Sequence, residues 1–132
     1  MEENLMSHRV ENKPHLCFDI DNTITVWNHD RDYENFKPDT EMVSMINKLY
    51  DEGYEITLFT ARGMTSCGPG RILVEVVPAL VKNLEKIGLK YHNLLTHKPS
   101  YTFIIDDRAI RPDHFKEMVR EGTLETYKAY HP

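Results

Sequence analysis

Four carboxylates stand in two close pairs. Asp19 and Asp21 are two residues apart in His15-Leu16-Cys17-Phe18-Asp19-Ile20-Asp21-Asn22-Thr23, and Asp106 and Asp107 are adjacent, directly after the run Tyr101-Thr102-Phe103-Ile104-Ile105. Carboxylates held close together repel, so one takes a proton or a cation sits between them. Burying such a pair without a partner costs several kcal/mol, roughly. Pairs kept at the ends of apolar runs therefore point to a hard cation, a reacting phosphate, or both. A polar Asx turn after a strand is the plain alternative for the first pair. Thr60 and Lys98 stand beside two further apolar runs. Each has an ordinary explanation alone: a turn threonine, a solvated lysine, and for Asp106-Asp107 a helix cap.

The elements that must position these residues follow from the hydrophobic pattern. Leu16, Cys17, Phe18 and Ile20 read as a short strand covered on both faces. Residues two apart on a strand point the same way, which lets Asp19 and Asp21 converge past its carboxyl end. A helix begins at Pro38-Asp39-Thr40 with Asp39 as N-cap, buries Met42, Val43, Ile46, Leu49 and Tyr50, and ends at Gly53. Tyr54–Thr60 is a second strand, and the intervening helix makes the two strands parallel. Arg71–Ile87 is helical, with a kink or restart at Pro78. Leu89–Leu95 reads as a weaker third strand, Tyr101–Ile105 as a fourth, and Pro112–Arg120 as a short helix. Residues 1–14 form a loose arm, and Leu124–Tyr127 is an ambiguous last edge strand.

This order predicts an α/β fold: a Rossmann-like three-layer sandwich around a central, mostly parallel sheet, formed by one domain over 15–132. The carboxyl ends of parallel strands share one rim, where ligands bind in open α/β sheets. Asp19, Asp21, Thr60, Asp106 and Asp107 would all fall on it, with Lys98 just ahead of the fourth strand. Their arrival on one rim in this order is harder to explain as coincidence than any one of them.

The chain has 132 residues and a formal net charge of −5, from 16 Lys and Arg against 21 Asp and Glu. That length fits one domain with a core that needs no staples. The charge argues against a nucleic-acid partner, which selects a basic face. The two cysteines, Cys17 and Cys67, make neither a disulfide framework nor a zinc site, and Cys17 reads as core. No stretch is long and apolar enough to span a membrane, and residues 1–13 are too polar for a signal peptide, so a soluble, cytoplasmic protein is expected.

The motifs DIDNT (Asp19 to Thr23), Thr60 in LFTAR, Lys98 in HKP and Asp106-Asp107 in FIIDDRA resemble the four motifs of the haloacid dehalogenase superfamily of phosphatases. The resemblance covers about residues 15–111. The first and fourth motifs are specific together, whereas the Thr and Lys motifs persuade only by their order. Asn22 stands where many members have Gly, and Asn also tolerates the left-handed conformation. The resemblance implies that Asp19 is a nucleophile forming an aspartyl-phosphate. It implies that Asp21 is the general acid and then the base for water. Mg²⁺ would be held by Asp19, the Asp21 carbonyl and Asp106, with Asp107 as a further ligand or outer partner. Thr60 would hydrogen-bond a phosphoryl oxygen and Lys98 would offset charge. Ala61 and Arg62 join them as substrate-binding candidates. Arg62 and Arg108 could clamp substrate or pair with nearby carboxylates.

Family members often carry a cap domain after the first motif or between the second and third, and neither interval here is long enough for one. The site would be covered only by the Trp27–Phe36 loop, as a surface loop or a lid, or by a partner in a homo-oligomer. The resemblance runs nearest to small phosphatases linked to capsular polysaccharide biosynthesis. A phosphorylated metabolite such as a sugar phosphate is the expected substrate, with a polynucleotide or protein phosphatase as alternatives. A phosphorelay receiver domain is similar in length and residue types, but places its acidic pair on the first strand, whereas Asp106-Asp107 comes last. A calcium loop starting at Asp19 lacks Gly at Ile24. A phosphatase loop on Cys67 fails because Leu73 holds the expected Arg position. A non-catalytic phosphate-binding module stays open.

Overall fold

The computed structural model describes residues 13–26, 36–64 and 69–124. The chain divides into two compact units, residues 1–100 and 101–132.

In the first unit, three parallel strands form a sheet in the order β1-β2-β3: β1 is His15–Asp19, β2 Glu55–Phe59 and β3 Asn93–Leu95. Between β1 and β2 runs α1, Thr40–Asp51, started where Asp39 Oδ1 accepts from the Met42 N–H at 3.0 Å. That bond satisfies one of the amides that a helix start leaves without a partner. Met42, Ile46 and Leu49 are buried along one stripe of α1. Gly53, at φ 99°, turns the chain through the left-handed region into β2.

Between β2 and β3 the helical run has three parts: α2 (Pro69–Arg71), a π-helical segment (Ile72–Val76) and α3 (Val77–Lys86). Pro78 stands in the first turn of α3, and the Val77 N–H reaches back to the Ile72 carbonyl. The restart expected at Pro78 is therefore accommodated by one widened turn, since proline has no N–H to continue the regular ladder.

Strand register explains the core. Leu16 pairs with Ile56 and Phe18 with Leu58, while His15, Cys17 and Asp19 pair with Glu55, Thr57 and Phe59 on the opposite face. Phe18, Ile20, Ile56 and Leu58 are buried with Met42, Ile46, Ile72, Leu80 and Leu84. Cys17 is exposed, which corrects the reading of it as core and of β1 as covered on both faces. Alternation sends it to the side of His15 and Asp19. β3 is shorter than expected because Leu89 and Lys90 give their N–H groups to Leu84 O and Asn47 Oδ1, and ladder bonding begins only with the His92 N–H on Ile56 O.

In the second unit, α4 is Pro112–Glu121, with Phe115 and Met118 buried and Leu124 buried after it. The fourth strand expected at Tyr101–Ile105 does not form, and Phe103 and Ile105 are 80% and 93% exposed. A strand exists through its ladder, and the described residues of this unit contain no strand to pair with. The expected edge strand at 124–127 lies largely outside the described residues, as do the arm up to residue 12 and the loop at 27–35.

The result is a small Rossmann-like α/β sandwich on a parallel sheet, with no cap domain among the described residues. No described helix is long and apolar enough to cross a membrane.

Candidate active site

β1 ends at Asp19, and the chain turns immediately. The Ile20 carbonyl accepts from the N–H groups of Thr23, Ile24 and Thr25, at 3.2, 2.8 and 3.1 Å. Asn22 takes the left-handed conformation at φ 63°, which Asn tolerates better than most residues. This tight loop places Asp21 just beyond the strand end. The excursion that follows is tied at its base: Thr25 bridges Pro38, the Val26 N–H bonds Lys37 O at 2.8 Å, and the Asp39 N–H bonds Ile24 O at 2.7 Å.

Lys98 arrives from the turn after β3. Its N–H bonds the Thr60 carbonyl at 3.1 Å, and His97 before it adopts φ 65°. Its ammonium lies 3.3 Å from Asp19 Oδ1, with the Lys98 side chain 12% and Asp19 38% exposed. Partial burial pushes the Asp19 carboxyl above its ordinary range. Lys98 opposes that push by charge and hydrogen bonding, and the Asp21 charge adds a smaller upward contribution.

Thr60, at the end of β2, is fully buried, and its Oγ1 accepts the Arg62 N–H at 3.0 Å. Ala61 is half-buried in the turn, its carbonyl accepting from the Met64 N–H. Arg62 does not point to solvent. Its Nε lies 3.2 and 3.1 Å from the two Asp21 oxygens and its Nη2 2.9 Å from Oδ1. The guanidinium also lies 4.8 Å from the centre of the Phe36 ring. Of the two roles expected for Arg62, the structure displays the carboxylate pair.

Asp19, Asp21, Thr60, Arg62 and Lys98 thus gather at the carboxyl ends of β1 and β2. Asp106 and Asp107 belong to the second unit, where both are exposed. Asp106 Oδ1 accepts the Arg108 N–H at 3.0 Å. That bond, with a further one from Asp107, holds the Asp106 carboxyl below its ordinary range. Among the described residues, no three His, Cys, Asp or Glu side chains gather as a metal-binding group. Sequence reading missed the stacking of Arg62 on Phe36. The only signal for it was a cation two residues after Thr60 and an aromatic at the close of the loop.

No protein-family model matches the chain, and no curated protein matches it. Among solved structures, the crystal structure of an MCSG target from Vibrio cholerae is similar, with a TM-score of 0.74 and 31% sequence identity. The match covers 83% of this chain and 94% of that one. With that identity sustained over nearly the whole of the Vibrio cholerae protein, this chain belongs to the same family as it does.

Proposed function

We propose that the protein is a Mg²⁺-dependent phosphomonoester hydrolase of the haloacid dehalogenase type, acting through an aspartyl-phosphate on Asp19. The observation that carries the reading is the Lys98 ammonium 3.3 Å from Asp19 Oδ1 at the rim of a parallel sheet. A carboxylate there can attack phosphorus while the neighbouring cation offsets the charge of an approaching phosphate dianion.

In the first half-reaction an Asp19 oxygen bonds to phosphorus as the bond from phosphorus to the leaving oxygen breaks, and Asp21 gives that oxygen a proton. In the second, water attacks phosphorus, Asp21 takes the proton back, and Asp19 is released with inorganic phosphate. The Thr60 hydroxyl is oriented by the Arg62 N–H and has its own proton to give a phosphoryl oxygen.

The donor chemistry fits a hard cation. The Asp19 carboxylate and the Asp21 carbonyl would be its oxygen ligands. Mg²⁺, when bound, supplies charge neutralisation to the phosphoryl oxygens. Asp106 and Asp107 are ligand candidates on their motif alone, and the Mg²⁺ dependence of Asp106→Asn tests them. A site without a cap domain suits a large phosphorylated substrate, or a phosphorylated small molecule where a homo-oligomer covers it.

The test is hydrolysis of p-nitrophenyl phosphate by purified protein, expected to vanish with EDTA and with Asp19→Asn. Full activity in Asp19→Asn would overturn the mechanism.

A further inference from the structure

We propose that Arg62 is a positioning residue for Asp21 and not a clamp on substrate, an inference that rests on the phosphatase reading above. The Arg62 side chain is 3% exposed, whereas that of Asp21 is 35% exposed. A guanidinium this buried has to be matched by charge and hydrogen bonds, and Asp21 supplies both. Both Asp21 oxygens accept from it, through Nε at 3.2 and 3.1 Å and Nη2 at 2.9 Å. The planar fork therefore sets the orientation of the Asp21 carboxyl as well as its location, which a lysine could not do.

The fork is itself held on two sides. The Arg62 N–H is tied to Thr60 Oγ1 at 3.0 Å, and the guanidinium packs against the Phe36 ring at 4.8 Å. Phe36 directly precedes Lys37, whose carbonyl closes the base of the loop on Val26. Arg62 thus links the Thr60 turn, the foot of the loop and the proposed acid in one contact chain.

A carboxylic acid donates from one oxygen only, so one Asp21 oxygen must turn out of the fork to protonate a leaving group while the other stays held. Arg62 acts as the pivot of that motion. Its loss leaves phosphate binding in place but misaims the proton.

Leaving-group dependence separates the two roles. p-Nitrophenolate leaves without a proton, whereas the alkoxide of a simple alkyl phosphate needs one. With Arg62→Met, the ratio of kcat/KM for p-nitrophenyl phosphate to kcat/KM for an alkyl phosphate should rise about tenfold or more, within the span of general-acid effects. KM for both should stay within about twofold. Arg62→Met should add nothing further to that ratio in an Asp21→Asn background. Arg62→Lys, which keeps a cation and loses the fork, should show a smaller rise and gives the reading if the Met variant does not fold. A KM increase at unchanged ratio makes Arg62 a clamp and overturns the inference alone. An equal loss of kcat/KM on both substrates also overturns it alone. Wild-type turnover that survives Asp19→Asn overturns the mechanism beneath it, and no wild-type turnover overturns both.

Discussion

Breaking the Asp21–Arg62 pair should cost stability as well as disturb chemistry, and the structure sets the scale. Hydrogen bonds to charged groups contribute about 1.5–3 kcal/mol each in favourable settings. Arg62 is almost wholly buried, but Asp21 is 35% exposed, so water competes for the carboxylate and the low end applies. Asp21→Asn keeps one acceptor and turns amide hydrogens toward a guanidinium that needs acceptors, at a cost of about 2 kcal/mol. Unfolding entropy of about 2.1 cal/mol/K per residue gives about 0.28 kcal/mol/K for 132 residues, so Tm should fall by about 7 °C. The control is Asp51→Asn. Lys90 Nζ lies only 2.8 Å from Asp51 Oδ1, yet these side chains are 48% and 59% exposed. That pair should contribute at most about 1 kcal/mol, with a Tm change of no more than about 4 °C. The assay is thermal unfolding of Asp21→Asn, Arg62→Met and the double variant, with EDTA present so that bound metal adds no stability. The cycle should give a coupling of about 1.5–2 kcal/mol, largely kept at roughly 1 M salt, where the Debye length is about 3 Å. A coupling below about 0.5 kcal/mol, or one that salt abolishes, would refute the argument that Asp21 is held in a buried fork.

Four further outcomes follow from the structure. Burial raises the Asp19 carboxyl and Lys98 opposes it, so with EDTA present Asp19 should titrate above the ordinary aspartate range by NMR, and Lys98→Met should move it higher; a value that moves down contradicts the assignment. The raised folded value means that Asp19 favours the fold most below its unfolded pKa of about 3.9, and that this contribution is lost as pH rises through the folded value. Asp19→Asn should therefore raise Tm at pH 7 relative to wild type, with the gap closing in acid. Thr60→Val removes the buried acceptor of the Arg62 N–H and should cost about 1–3 kcal/mol in urea unfolding, while Thr60→Ser, which keeps the oxygen, should cost less. Asp39→Ala removes the cap of α1 and should cost about 1 kcal/mol, read as a Tm drop of about 4 °C.

What could be read from the chain is what local physics decides. The Asp39 cap, the stripe Met42–Ile46–Leu49, the turn at Gly53 and the paired runs at β1 and β2 are written in residue type and period. So was the disturbance at Pro78, whose missing N–H is a property of the residue itself. The strand expected at Tyr101–Ile105 shows the limit. Its β-branched and aromatic residues express a preference, but a ladder needs a neighbour, and preference cannot supply one. Cys17 makes the same point about burial: alternation says that it faces away from Phe18, not which face is covered.

The site divides along the same line. Asp19 and Asp21 at a strand end, Thr60 at the next, and a lysine before the last motif could be named from order alone. That Lys98 reaches Asp19, 79 residues away in sequence, depends on a left-handed His97 and a backbone bond to Thr60. That Arg62 grips Asp21 depends on two strand ends lying side by side in the β1–β2 register. Composition and spacing determine which groups are available to react, because those are properties of single residues and short segments. Which of them touch is decided by tertiary packing, because a charge 41 or 79 positions away becomes a partner only when the sheet brings the two ends together.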